Sequence, residues 1–257
     1  MNKFTKYIYT TCVYIFLYLP IAVVIIFSFN NAKHSLVWQG FTLKWYTALF
    51  HDAALLHVAW HSLLLGILAA TGATIIGTLT AVSLFRYRFF GKKILHALIF
   101  ILILSPEIVM AISLLLMYSF LKVPLGFWTL LLAHTTLCIP FVAVTVYSRV
   151  TTLDTDIFEA AMDLGATDFT IFRKIIIPLL LPAIVSGWLL SFTLSLDDVI
   201  ISYFVSGPTF DILPLKIYSM VRLGVKPEVN ALCTLLLAFT LLIVITGYQS
   251  IFKKKPK

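Results

Sequence analysis

Three carboxylates interrupt the long apolar stretches of this sequence. Glu107 is the single charged residue in Ile94–Leu121, and Asp197 and Asp198 are the two charged residues in Ile175–Val205. An acidic side chain at the centre of a membrane helix costs about 2.5–3.5 kcal/mol on insertion scales. Because the apolar stretches contain no Lys or Arg, we predict that a cation from outside the chain compensates these charges. The chemistry indicated is the binding of a positively charged solute.

Helical spacing separates the two aspartates. Ser191, Ser195, Asp198 and Ser202 stand at i, i+4, i+7 and i+11, which places them on one face of a continuous helix. This polar stripe predicts that Asp198 lines an aqueous path. Asp197 points about 100° away from the stripe, and a structural hydrogen bond or a contact with another subunit remains open for it.

The residue before Glu107 predicts a break in the helix. Pro106 has no N–H, so a carbonyl one turn back is left without its helical partner. Broken backbone at membrane depth is expected where it lines a cavity or is packed in protein, and Glu107 is therefore a second candidate path residue. Tyr118 and Tyr203 could contact an ammonium group through their rings. With 14% aromatic residues in the chain, ordinary packing is the favoured interpretation for both tyrosines.

The elements that must position these acids are membrane helices. The chain is 61% hydrophobic and 12% charged, whereas soluble domains are about half apolar and about a quarter charged. About 20 apolar residues cross a bilayer as a helix, and helices satisfy their own backbone hydrogen bonds there. We predict an all-α polytopic protein with one membrane domain over residues 1–257, the first segment being retained as an anchor. Its six transmembrane helices are predicted at 7–29, 62–85, 94–121, 123–148, 179–205 and 229–252.

The net charge of +8 is distributed as a topology signal. If the N-terminus is cytoplasmic, the inner segments 1–6, 86–93, 149–174 and 253–257 carry 13 Lys and Arg, and the outer segments carry six. Cytoplasmic loops of membrane proteins are rich in Lys and Arg. The asymmetry predicts that both termini lie in the cytoplasm, and it makes nucleic acid an unnecessary explanation of the basic charge.

One inner segment, 154–178, interrupts its apolar residues with polar ones. Asp156 followed by Glu159 is typical of a helix N-cap and its N3 residue. Gly165 suits a left-handed helix end, and a second short helix is predicted over Thr167–Lys174. We call this segment, 154–178, the elbow.

The apolar residues of the first elbow helix point to a surface that needs a partner. Ile157, Phe158, Ala161 and Leu164 fall near one face at helical spacing. The pattern fits docking into a groove of a soluble protein. It fits equally well an interfacial helix lying on lipid headgroups, and the spacing alone leaves both open.

The elbow also resembles a known motif. Glu159-Ala160-Ala161, three residues, Gly165, nine residues and Ile175-Ile176-Ile177-Pro178 resemble the EAA motif of inner-membrane permeases of bacterial type I ABC importers. The one departure is Ile177, where the family usually has Leu. The resemblance implies the permease fold of that family in the bacterial inner membrane. It also implies that Glu159, Ala160, Ala161 and Gly165, with Ile175 and Pro178 behind them, couple the chain to an ATPase.

Further blocks extend the resemblance to the C-type permease subunits of spermidine/putrescine importers: "WQGFTLKWY", "LFRYRFFGK", "SPEIVMAISLL", "PFVAVTVYSR", "SFTLSLDDVIIS" and "LPLKIYSMVRLGVKPEVNAL". This implies a non-catalytic polyamine permease that pairs with a related second permease. The implied complex also contains two ATP-binding subunits, which hold ATP and Mg, and a periplasmic polyamine-binding protein. The preference among spermidine, putrescine and other cations stays open.

Two negative patterns complete the prediction. The sequence has no G-x-x-x-x-G-K-[ST] segment, so we expect no P-loop ATP site in this chain. "HVAWH" places His57 and His61 at i and i+4, but Val58 stands where a metalloprotease needs Glu, and no metal site is predicted. The alternative function is a self-sufficient cation transporter or channel, which would use the acids as an ion relay and would need no elbow.

Overall fold

The computed structural model describes residues 3–32, 37–222, 224 and 227–252. Within these ranges the chain forms α-helices joined by short connections, with one π-helical turn at Phe172–Ile176. The basic residues of the charge asymmetry at 33, 226 and 253–257 lie outside the described residues. The helices are α1 (Lys3–Phe27), α2 (Lys44–His51), α3 (Ala53–Arg86), α4 (Lys92–Leu104), α5 (Glu107–Phe120), α6 (Phe127–Val150), α7 (Asp156–Asp163), α8 (Asp168–Ile171), α9 (Ile177–Asp197), α10 (Ile200–Val205), α11 (Leu213–Arg222) and α12 (Pro227–Phe252).

Five stretches of the described chain are single helices long and apolar enough to cross a membrane. A sixth candidate is the pair formed by α4 and α5. The span predicted over 94–121 is made of two helices, because the chain bends by 112° between α4 and α5. Ser105 and Pro106 have extended ψ values of 133° and 131° at the bend, and Pro106 cannot donate a helical hydrogen bond.

The helix predicted over 179–205 is also interrupted. It ends at Asp197, and Asp198 follows with an extended ψ of 121° before α10 begins. We call residues 197–199, the last residue of α9 and the two residues before α10, the acidic break. Towards the N-terminus the same helix starts earlier than predicted, because α8, the π-helical turn and α9 form one continuous helix from Asp168 to Asp197.

The chain divides into two compact units, and the prediction of one membrane domain stays a prediction. The first unit comprises Met1–Ala59 and Leu215–Ile245. In it Asn30 organises the loop after α1. Its side chain donates to the carbonyl of Val37 and accepts the amide of Gln39.

The second unit comprises Trp60–Pro214 and Thr246–Lys257 and contains the elbow and residues 197–199. Helix α6 is its central helix and packs along α9, with further contacts to α4, α5 and α10. Glycines allow close helix approach: a Cβ at Gly77 of α3 would lie 2.7 Å from Cβ of Val142, and one at Gly187 of α9 would lie 3.2 Å from a methyl of the same valine. Small residues at such contacts are typical of membrane helix packing. This packed core supports both the elbow and the acidic break.

Candidate functional site

The first elbow helix, α7, begins as predicted at Asp156 but not by the predicted cap. The carboxylate of Asp154 accepts the amide of Asp156 at 3.1 Å, and Thr155 occupies the N-cap position without a side-chain hydrogen bond. Asp156 and Glu159 lie in the first turn, where acidic groups interact favourably with the helix dipole. The capping role predicted for Asp156 is therefore wrong, and Asp154 performs it.

The end of α7 follows the prediction for Gly165. Its φ is +82°, a left-handed conformation that glycine adopts without a steric penalty. The amide of Gly165 donates to the carbonyl of Met162 at 2.9 Å, and the amide of Ala166 donates to that of Ala161 at 3.0 Å. These two bonds form a Schellman motif, which satisfies the last carbonyls of α7.

The second elbow helix leads directly into the membrane. Thr167 caps α8 by accepting the amide of Thr170, so the start predicted at Thr167 is confirmed within one residue. The predicted end at Lys174 is wrong, because the π-helical turn continues the helix into α9. Ile175 packs against the buried core, and Pro178 lies just after the π-helical turn inside the continuous helix.

One side of the elbow is buried in the core, and the other side is exposed. Phe158 and Ile171 are buried in the core of the unit, and Ala161 packs against them. Leu164 is 89% exposed and Phe169 is 69% exposed. The common face predicted for Ile157, Phe158, Ala161 and Leu164 is therefore split between core and surface. The outer part presents exposed Glu159, Ala160 and Gly165 beside these apolar side chains.

Arg86, at the end of α3, connects the two elbow helices to the membrane part. Its guanidinium pairs with the carboxylate of Asp168 at the start of α8. Its Cζ also lies 5.9 Å from the ring centroid of Phe158 in α7. Phe85 contacts the same ring edge-to-face. The sequence analysis did not find this contact, because Arg86 and Asp168 are 82 residues apart.

In the acidic break, Asp198 is buried, and both oxygens of its carboxylate accept hydrogen bonds from residues of α10. Its carboxylate accepts the amides of Ile201 and Ser202 at 3.2 and 2.8 Å and the hydroxyl of Ser202 at 2.8 Å. Asp198 therefore stabilises the first turn of α10 as a capping carboxylate does. The polar stripe of Ser191, Ser195, Asp198 and Ser202 is buried along its length in the single chain, and the role of Asp198 in an aqueous path stays a prediction.

His134 of α6 completes this buried group. Its Nδ1 lies 2.7 Å from Oγ of Ser195, and its Nε2 lies 2.9 Å from Oγ of Ser202 and 3.5 Å from Oδ2 of Asp198. The apolar stretches contain no Lys or Arg that could pair with the acids. Histidine, the other side chain that can carry a positive charge, lies beside Asp198 instead.

The other two acids are exposed on the chain. Asp197 and Glu107 both have accessible side chains, and Asp197 lies within electrostatic range of Glu107 and Asp198. Helix α5, which begins with Glu107, packs against α10. The structure thus brings the three predicted acids to one region. Asp197 is exposed and Asp198 is buried, whereas the helical spacing predicted that Asp198 is the more accessible of the two.

The two candidate tyrosines differ in the same way. Tyr118 is buried, and its hydroxyl donates to the carbonyl of Thr129 at 3.1 Å. Tyr203 is 59% exposed on α10 and contacts Phe204 edge-to-face. Tyr203 can therefore meet a ligand, whereas Tyr118 serves the packing of α5 against α6. Among the described residues, no group of three or more His, Cys, Asp or Glu could hold a metal ion.

The geometry agrees with the comparisons to known proteins. Residues 73–256 match the family described as "Binding-protein-dependent transport system inner membrane component". The spermidine/putrescine transport system permease protein PotC of Escherichia coli K12 is 54% identical over 249 residues, which covers 97% of this chain and 94% of that protein. The putrescine transport system permease protein PotI of the same strain is 45% identical over 230 residues, covering 86% and 82%.

A solved structure shows the same fold. It is the crystal structure of a bacterial ABC transporter involved in the import of the acidic polysaccharide alginate. One of its chains is similar with a TM-score of 0.76 at 14% sequence identity, covering 98% of this chain and 96% of that one. The bent pair and the elbow thus belong to a fold found in an ABC importer.

Proposed function

Because the chain belongs to the family of inner-membrane components of binding-protein-dependent transport systems, we propose that it is the permease subunit of an ATP-driven importer of the polyamines spermidine and putrescine. The chain is a non-catalytic, multi-pass subunit of the inner membrane. The observation that carries the substrate proposal is the 54% identity with a spermidine/putrescine permease over 97% of this chain. That length includes both the elbow and the acidic break.

The proposed complex contains a related second permease, two ATP-binding subunits that hold ATP and Mg, and a periplasmic polyamine-binding protein. The elbow docks on an ATP-binding subunit through Glu159, Ala160, Ala161 and Gly165. Its exposed apolar residues Leu164 and Phe169 support this assignment, because large exposed apolar side chains beside polar ones mark interaction sites. Ile175 and Pro178 join the docking surface to α9.

The elbow reaches an ATP-binding subunit only if it lies in the cytoplasm. We therefore place both termini in the cytoplasm, with segments 86–93 and 149–174 on the same side. The excess of 13 over six Lys and Arg supports this orientation. The lipid bilayer surrounds the apolar lengths of α1, α3, α6, α9 and α12 and of the α4–α5 pair.

For the substrate path we propose Glu107 and Asp197 as the residues that face the polyamine. Both are exposed on the chain, and separated carboxylates match ammonium groups separated by methylenes. Exposed Tyr203 adds a ring that can contact an ammonium group. Asp198 contributes its charge from the buried side of the acidic break, and Tyr118 supports α5 from within the core.

The function is tested by reconstitution. The chain, its second permease, the ATP-binding subunits and the binding protein are assembled in proteoliposomes, and uptake of radiolabelled spermidine and putrescine is measured. We expect uptake that requires ATP, the ATP-binding subunits and the binding protein. Uphill cation transport by the purified chain alone would instead establish the secondary transporter.

The path residues are tested by removing one charge at a time. Asp197→Asn is expected to reduce polyamine uptake at least about 10-fold, because a desolvated ammonium loses its partner, with an unchanged yield of complex. Asp211→Asn, an exposed acid outside the spans, is the matched control and keeps uptake near wild type. Equal uptake in the two variants would remove Asp197 from the path.

A further inference from the structure

The hydrogen bonds of His134 cross the acidic break. Ser195 lies in the last turn of α9, and Ser202 lies in the first turn of α10. The imidazole of α6 is bonded to both hydroxyls, through Nδ1 at 2.7 Å and through Nε2 at 2.9 Å. One side chain of a neighbouring helix therefore joins the two sides of the acidic break.

The protons in this group can be assigned from the acceptors. The Ser202 hydroxyl donates to Oδ2 of Asp198, and a hydroxyl has one proton to donate. The bond between His134 and Ser202 therefore uses an Nε2–H donor and the oxygen of Ser202. A neutral imidazole with that tautomer accepts the proton of Ser195 at Nδ1. The hydrogen bonds thus run from Ser195 through His134 and Ser202 to Asp198, and each of these side chains has a partner.

This pair of bonds requires the break. Seven residues of a continuous helix rise about 10.5 Å, so the two serine side chains would be separated by roughly that distance on one face. The two hydrogen bonds of 2.7 and 2.9 Å, added to the width of one imidazole ring, do not reach so far. His134 can therefore bond both serines only while α9 and α10 are separate helices.

We infer that His134 is a positioning residue for polyamine transport: it holds the acidic break open so that Asp197 faces the path at a fixed distance from Glu107. The inference rests on the proposed function. Asp198 transmits the constraint, because it accepts the first amides of α10 and is adjacent to Asp197. Helix α10 in turn packs against α5, which begins with Glu107. Loss of the imidazole lets the side chain of Asp197 take more than one orientation, while the elbow is unchanged.

The test compares uptake with ATP hydrolysis in the complete reconstituted transporter. In His134→Ala, polyamine uptake per ATP hydrolysed is expected to fall about 10- to 100-fold, the effect typical of misplacing a reacting or binding group by about 1 Å. Hydrolysis stimulated by the loaded binding protein is expected to stay within twofold. A parallel fall of uptake and hydrolysis would mean a structural role only and would overturn the inference, as would unchanged uptake.

Two further variants separate positioning from general packing. His134→Gln keeps a donor near the Nε2 position and is expected to recover most of the uptake. In an Asp197→Asn background, His134→Ala is expected to reduce uptake by less than twofold, because both changes act through the same carboxylate. Independent, multiplying effects would contradict the inference. Thr136→Ala is the matched control on α6, since its hydroxyl bonds its own helix at Leu132.

A structural readout covers the case in which the variants assemble poorly or the transporter carries another solute. Spin labels at Leu190→Cys in α9 and Ile200→Cys in α10, both exposed positions, report the distance across the acidic break in the complex. We expect a narrow distribution in the parent and a broad or longer one after His134→Ala or Ser202→Ala. An unchanged distribution would refute the positioning role. Failure of wild-type polyamine uptake with a broadened distribution would refute only the proposed substrate.

Discussion

Replacing Gly165 with alanine tests the elbow with a minimal change. The φ of +82° places Gly165 in the left-handed region, which costs an L-residue roughly 1–2 kcal/mol. A Cβ built there meets nothing within 4 Å, so no clash adds to the backbone cost. Because about 1.4 kcal/mol is a factor of ten in an equilibrium constant, we expect the affinity for the ATP-binding subunit to fall about 5- to 30-fold.

The chain contains a close control for this backbone cost. Gly91, at the start of α4, has a φ of +88° and also has nothing within 4 Å of a built Cβ. Gly91→Ala therefore carries the same conformational penalty outside the elbow. Gly165→Asn is the second control, because asparagine enters the left-handed region more readily than other residues with a side chain.

The assay is equilibrium binding of the ATP-binding subunits to the permease pair in nanodiscs, together with hydrolysis stimulated by the binding protein. Phe158 and Ile171 anchor the two elbow helices in the core, so the strain of Gly165→Ala falls on the turn between them. We expect weak binding for Gly165→Ala, intermediate binding for Gly165→Asn and wild-type binding for Gly91→Ala. Equal affinities for Gly165→Ala and Gly91→Ala would refute the assignment of the elbow as the docking surface.

Two further predictions concern the packing that supports these sites. Gly77→Ala is expected to cost about 1–3 kcal/mol of stability by overpacking against Val142. Gly72→Ala is the control and is expected to be tolerated, because the nearest neighbour of its Cβ would lie 3.5 Å away. Equal thermal unfolding midpoints for the two variants would contradict this prediction. Arg86→Ala is expected to lower the unfolding midpoint of the complex more than Asp168→Asn. The Asp168 side chain is 63% exposed, so the ion pair is worth about 0–1 kcal/mol, whereas Arg86→Ala also removes the largely buried arginine stem and its ring contact. The reverse order in a melting assay would show that the ion pair dominates.

Local features of the fold were predictable from the sequence because they depend on one residue type. The left-handed end at Gly165 and the capped start of α8 at Thr167 each follow from the preferences of a single residue. The bend between α4 and α5 was signalled by Pro106. Its angle of 112° was not, because a proline specifies a missing donor and not the packing that fixes a direction.

The acidic break was not predictable in the same way. No proline or glycine stands at residues 197–199, and the apolar periodicity continues across them. The break is stabilised by His134, which is 61 residues from Ser195 and 68 from Ser202 in the chain. Such a contact depends on how α6 packs against α9, so the spacing within one segment could not indicate that Asp198 is buried in the single chain.

The family assignment depended on the spacing of a sequence motif. The EAA-like spacing from Glu159 to Pro178 suggested an importer permease, and the comparisons confirm that resemblance. The roles of Glu159, Ala160, Ala161 and Gly165 in docking stay predictions. The exposed setting of the elbow is consistent with them, and the binding assay above decides them.

The uninterrupted helix from Asp168 to Asp197 has a mechanical consequence. Its 30 residues span roughly 45 Å, and no loop lies between the elbow and Asp197 to absorb a rotation. A tilt of about 5° at one end would therefore carry the other end sideways by about 4 Å, a distance set by the helix rise alone. A change of angle too small to disturb a contact made by the elbow would thus be large enough to bring a carboxylate within reach of an ammonium group or to withdraw it.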